Sequence, residues 1–143
     1  MTKRIIGLDP GERRIGVAVS DPTGTIASPE RYIDTWSDDV DQTLRELCET
    51  MDAAKIVVGL PVNLDGSEGS SAQRARAFAA RVSDVTGLDV EFQDERFTTH
   101  TAESALVAGG VKRRARKEKR DQVAAAVMLQ AYLDRQSYDT DRT

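Results

Sequence analysis

Lys3-Arg4-Ile5-Ile6-Gly7-Leu8-Asp9-Pro10-Gly11-Glu12-Arg13-Arg14-Ile15-Gly16-Val17-Ala18-Val19 is the stretch on which the fold turns. Lys3–Leu8 reads as a strand, and Asp9-Pro10-Gly11 joins three residue types that favour turns. Ile15, Val17 and Val19 then alternate with the period of a strand. The stretch therefore predicts an N-terminal hairpin that turns at Asp9-Pro10-Gly11. Its glycines also suggest a phosphate loop, but no Gly-Lys-Ser/Thr follows, and the next residues read as a strand rather than a phosphate-binding helix. Gly11 and Gly16 are better read as permitting a sharp hairpin whose backbone comes close to whatever sits beside Asp9.

Working outward, a turn at Asp21-Pro22-Thr23-Gly24 precedes a third strand near Ile26–Ile33. Asp38–Met51 sets Val40, Leu44, Leu47, Cys48 and Met51 at helical spacing, and Ile56-Val57-Val58 reads as a strand buried on both faces. Gly59–Gly69 reads as a loop, and Ser70–Val85 as a helix with Ala72, Ala75, Ala79 and Val82 turned inward. Leu88–Phe92 reads as a strand, Thr99–Val107 as a helix stopped by Gly109-Gly110, and Asp121–Arg135 as the last helix. Strands first, then strands alternating with helices, predict an α/β class with a mixed central sheet flanked by helices. Residues 1–136 are expected to form one domain and the polar residues 137–143 a frayed tail.

No apolar run approaches the roughly 20 residues of a membrane span, so no membrane association is expected. Cys48 is the only cysteine, which excludes an intrachain disulfide and a cysteine-based zinc cluster and suits a reducing cytoplasm. The net charge of −4 is unevenly spread. Lys112, Arg113, Arg114, Arg116, Lys117, Lys119 and Arg120 face one acid, Glu118, giving this segment +6 and the remainder −10. Such a basic segment on an acidic body confines attraction for a polyanion to one surface. Aromatic residues make up only 5% of the chain, too few for base stacking to dominate recognition.

Three acids stand where elements change: Asp9 after the first strand, Glu95 after the Leu88–Phe92 strand, and Asp121 where the last helix begins. Carboxylates at strand ends and a helix start can converge, and an all-oxygen donor set selects Mg²⁺ or Mn²⁺ over zinc. Two such ions can drive phosphodiester hydrolysis without a histidine or cysteine. Singly, each acid has a commoner role: turn residue for Asp9, helix cap for Asp121, ion-pair partner of Arg96 for Glu95. Their joint occurrence is what points to a site. His100, the only histidine, has no nameable partner and is left out of the chemistry.

Four ordered segments resemble the YqgF family of pre-16S rRNA nucleases, also described as Holliday junction resolvase-like proteins. They are Gly7-Leu8-Asp9-Pro10-Gly11-Glu12-Arg13-Arg14-Ile15-Gly16-Val17-Ala18, Val58-Gly59-Leu60-Pro61-Val62-Asn63-Leu64-Asp65-Gly66, Gln93-Asp94-Glu95-Arg96-Phe97-Thr98-Thr99 and Lys119-Arg120-Asp121-Gln122-Val123-Ala124-Ala125. The resemblance implies a ribonuclease H-like fold, Asp9, Glu95 and Asp121 as catalytic metal ligands for two Mg²⁺ or Mn²⁺ ions, and a role in maturing the 5′ end of pre-16S rRNA. Branched DNA is the competing substrate. Gln122 stands where the family usually has serine, and Arg120 where an apolar residue is common. Arg13, Arg14, Arg113, Arg114, Lys117 and Lys119 are the candidate contacts to the nucleic-acid backbone. Two other classes stay open: an assembly factor that binds nucleic acid without cutting it, and an actin-like or sugar-kinase phosphotransferase, for which 143 residues supply one of the two domains normally needed.

Overall fold

The computed structural model describes residues 3–95 and 123–136. Five strands form one sheet in the order β3-β2-β1-β4-β5. They are β1 (Arg4–Pro10), β2 (Arg14–Ser20), β3 (Ala27–Asp34), β4 (Ala53–Leu60) and β5 (Val90–Asp94), with helices α1 (Val40–Met51), α2 (Ser70–Thr86) and α3 (123–136). β1, β2 and β3 pair antiparallel, as hairpin connections allow, whereas β1–β4 and β4–β5 pair parallel across helical crossovers. The mixed α/β sheet expected from the sequence is the one observed.

Strand alternation divides the core. Ile6, Leu8, Ile15, Val17, Ile33, Ile56 and Val58 point to one face and pack with Val40, Leu44 and Leu47 of α1 and Ala79 and Val82 of α2. Ala18 and Val57 point to the other, beneath Ala125, Met128, Leu129, Tyr132 and Leu133 of α3. The unbroken apolar run of β4 is thus buried on both sides, as its sequence predicts. Asp39 caps α1 by accepting the Gln42 N–H at 3.1 Å, and Gly87 closes α2 in the left-handed region at φ 72°.

Several boundaries differ from the sequence reading. β1 runs through Asp9 and Pro10, which pair with Gly16 and Ile15, so the chain turns after Pro10, where Gly11 N–H donates to Arg14 O at 2.9 Å. β4 includes Gly59 and Leu60 because β5 pairs with both, through Gln93 and Asp94. The expected loop therefore begins at Pro61. The expected helix at Thr99–Val107, the basic segment at Lys112–Arg120 and the 137–143 tail lie outside the described residues.

α3 comes closest to the sheet at Gly7, where an added Cβ would lie 2.9 Å from Leu129 Cβ. Gln130 Oε1 accepts from Ala27 N–H at 2.8 Å, and Lys55 Nζ lies 3.1 Å from the Tyr132 hydroxyl. Ala27 begins β3 and Lys55 lies near the start of β4, so α3 runs antiparallel to β1 with its N-terminal end toward the finish of β1 and β4. Gly7→Ala is expected to cost about 1–3 kcal/mol by forcing that helix outward, roughly 3–10 °C in Tm by calorimetry.

Candidate active site

β1 carries Asp9 with a glycine on either side. Gly16 is its partner on β2, and because Leu8 pairs with Val58, Gly59 follows beside it on β4. β5 delivers the second acid: it stays in register with β4 to Asp94, and Glu95 N–H then donates to Leu60 O at 3.2 Å. A Cβ on Gly59 would lie 2.5 and 2.6 Å from the Glu95 carboxylate oxygens. The carboxylate therefore rests on bare backbone, and only glycine leaves room for it. Val57 faces α3, so by alternation Gly59 offers its α3-side face to Glu95, while both acids, standing at the strand ends, also border the space beside α1 and α2.

The Glu95 carboxyl is held well above the ordinary carboxylate range, first by burial, then by its hydrogen bond with Asp9, and further by the charges of Asp9 and Asp94. Two facing carboxyls cannot both ionise cheaply, so without a cation they share a proton. Because the folded state holds that proton more tightly than the unfolded chain, stability without metal is greatest at or below the ordinary value of 4.5 and falls as pH rises through the higher folded value. Melting in chelator across that range should show this slope, and Glu95→Gln should flatten it. Mg²⁺ or Mn²⁺ should reverse the trend, since the ion binds the deprotonated ligands.

A hard divalent cation fits this donor set: two oxygen acids in contact, with the Glu95 carboxyl buried against the Asp9 charge. Among the described residues no cluster of three or more metal-ligating side chains occurs. Asp121, the third predicted acid, lies outside them, as do Gln122 and His100.

Asp9 and Glu95 open into a cleft of about 1100 Å³ between the ends of β1 and β4 and the helices α1 and α2. Arg74 and Arg81 of α2 line its far wall. Arg81 is held by Asp41 at 2.7 Å, and Arg74 donates to the Ser71 hydroxyl at 3.1 Å. Against these two cations stand Asp9, Glu12, Asp38, Asp39 and Glu95. A polyanion entering this part of the cleft meets more negative than positive charge, so bound cations or other basic residues have to reverse the balance.

Of the predicted backbone contacts, Arg13 and Arg14 lie at the same end of the sheet as Asp9, but neither is among the described residues lining the cleft. Arg13 pairs with Asp34 at 3.4 Å, and the Arg14 guanidinium lies over the Tyr32 ring, 5.2 Å from its centre. Arg113, Arg114, Lys117 and Lys119 lie outside the described residues. Sequence reading missed Gly59 as a seat for Glu95, and Arg74 and Arg81 as cleft residues. The Val58-Gly59-Leu60-Pro61 motif carried a signal for the first; nothing local marked the other two.

A family model described as "RuvX: Holliday junction resolvase" matches residues 3–135. A protein of Syntrophomonas wolfei named "Putative pre-16S rRNA nuclease" is 40% identical over 139 residues, covering 96% of this chain and 99% of its own. A protein of the same name from a Ruegeria species is 46% identical over 132 residues, covering 92% of this chain and 84% of its own. Among solved structures, RuvC of T. thermophilus in complex with a Holliday junction substrate superposes with a TM-score of 0.55 at 16% identity, covering 94% of this chain and 96% of RuvC. That likeness shows a shared ribonuclease H-like fold. With the family model spanning nearly its whole length and relatives of this identity on both sides, the chain belongs to the RuvX family.

Proposed function

We propose that this chain is a metal-dependent nuclease that hydrolyses phosphodiester bonds in maturing the 5′ end of pre-16S rRNA in the cytoplasm. The observation that carries the reading is the Asp9–Glu95 pair, seated on Gly59 and open to a cleft large enough for a nucleic-acid strand. The names of the relatives support the substrate. Asp9 and Glu95 hold two Mg²⁺ or Mn²⁺ ions, with Asp121 as third ligand. The direction of α3 supports that assignment, because its N-terminal end runs toward the finish of β1, where Asp9 lies. The ions, when bound, supply positive charge to the attacked phosphate and make a water a stronger nucleophile. The protein keeps both acids aimed at one point, Gly59 by leaving space and the β4–β5 ladder by fixing where Glu95 emerges. Arg113, Arg114, Lys117 and Lys119 grip the strand through its phosphates, with Arg13 and Arg14 beside the hairpin turn.

The family description favours one second reading, resolution of four-way DNA. Wild-type protein and Asp9→Asn are to be incubated with a labelled 16S rRNA precursor and with a four-way junction in Mg²⁺ or Mn²⁺, and the cuts mapped. Cuts near the mature 5′ end, lost in the variant and in chelator, are the expected result. Symmetric junction cuts would transfer the assignment to branched DNA. Binding without cutting would leave an assembly factor.

A further inference from the structure

Trp36, the single tryptophan of the chain, is 76% exposed and follows β3 at the end of the sheet where Asp9 lies. It is held from beneath. Its backbone N–H donates to Asp34 Oδ1 at 2.9 Å, and Asp34 Oδ2 pairs with Arg13 at 3.4 Å. The Arg13 guanidinium carbon lies 4.3 Å from the centre of the indole ring. Thr35 fastens the same two segments, its N–H and hydroxyl both donating to Arg13 O at 2.8 and 2.7 Å. Thr35 also lines the cleft that contains Asp9 and Glu95.

An isolated apolar residue on a surface is ordinary. This ring, however, has a cation against one face, itself fixed by a carboxylate, at the rim of the acidic cleft. A flat indole pre-ordered in this way loses little entropy when a second flat π-system stacks on it, and the guanidinium adds positive charge where a phosphate must pass. We propose that Trp36, backed by Arg13, is a stacking platform for an unpaired nucleobase of the strand whose phosphodiester lies over Asp9 and Glu95. The proposal rests on the nuclease reading. Inside a duplex each base already has neighbours on both faces, so the platform selects single-stranded or unpaired nucleotides. One well-held ring suffices for this, even in a chain with few aromatics.

Trp36 emission reports on this position alone, because no other tryptophan contributes. In chelator, an oligoadenylate of roughly a dozen nucleotides is expected to quench it saturably, and the same strand paired with oligouridylate is not. Polarisation of a dye-labelled strand should show about tenfold weaker single-strand binding by Trp36→Ala, recovery of most of it by Trp36→Phe, and duplex binding unchanged in both. Emission unchanged at saturation, equal single-strand affinity of Trp36→Ala and wild type, or no single-strand binding would overturn the platform. Without metal the test does not depend on cleavage. A protein that quenches but never cuts would remove the nuclease reading and keep the platform; one that cuts without quenching would do the reverse.

Discussion

Asp9→Asn lowers phosphodiester cleavage about a thousandfold while leaving the fold intact, if the two carboxyls are metal ligands. Asparagine keeps the volume and one oxygen but removes the charge, and metal stabilisation of a phosphoryl transition state is worth several kcal/mol, each 1.4 of which is about tenfold in rate. The substitution also removes the charge that Glu95 faces. Metal-free Asp9→Asn should therefore melt no lower than wild type above neutral pH, while its Mn²⁺ affinity, measured by calorimetric titration, collapses. Cleavage surviving at wild-type rate would remove Asp9 from the site. A variant that melts early would show instead that the carboxylate serves the hairpin.

Gly59→Ala is the second large effect. The new methyl would stand within 2.7 Å of three carboxyl atoms of Glu95. The acid must move off the strand, and displacement of a group that orients metal ligands typically costs 10- to 100-fold in affinity or rate. β4 itself gains a residue better suited to a strand than glycine, so Tm should change little. Combining Gly59→Ala with Glu95→Asp, whose carboxyl sits closer to its own backbone, should restore part of the metal affinity. A Gly59→Ala protein with unchanged Mn²⁺ binding and unchanged cleavage would show that Glu95 has another way into the site.

Alternation in β2 and the helical spacing of α1 and α2 were legible because each encodes which face is buried, and the sheet confirms them within a few residues. Strand ends were less legible. Gly59-Leu60-Pro61 has the composition of a loop, yet Gly59 and Leu60 stay in the sheet because β5 pairs with them, and that partnership is a long-range fact. Asp9 was read as a turn residue for the same reason: its partner Gly16 cannot be recognised until the register is known. Pairing of Asp9 with Glu95 was foreseeable from their places at element ends, but the seat on Gly59 was not. Arg74 and Arg81 reach the cleft only because α2 packs across β4, and Trp36 became informative only when its exposure and its contact with Arg13 were visible.

The close approach of α3 to Gly7 bears on how the protein is made. β1 is the central strand of the sheet, and the helix that covers its second face comes after all five strands in the chain. Domains emerge N-terminal end first at about 5–20 residues per second, so Ala18 and Val57 stay uncovered for several seconds until α3 is translated. Ile56 and Val58, on the opposite face, find α1 and α2 sooner. The second face of the sheet beside Asp9 and Glu95 thus remains bare until α3 has been made, and a chain truncated before Leu129 would be left as a one-sided sheet, a substrate for proteases.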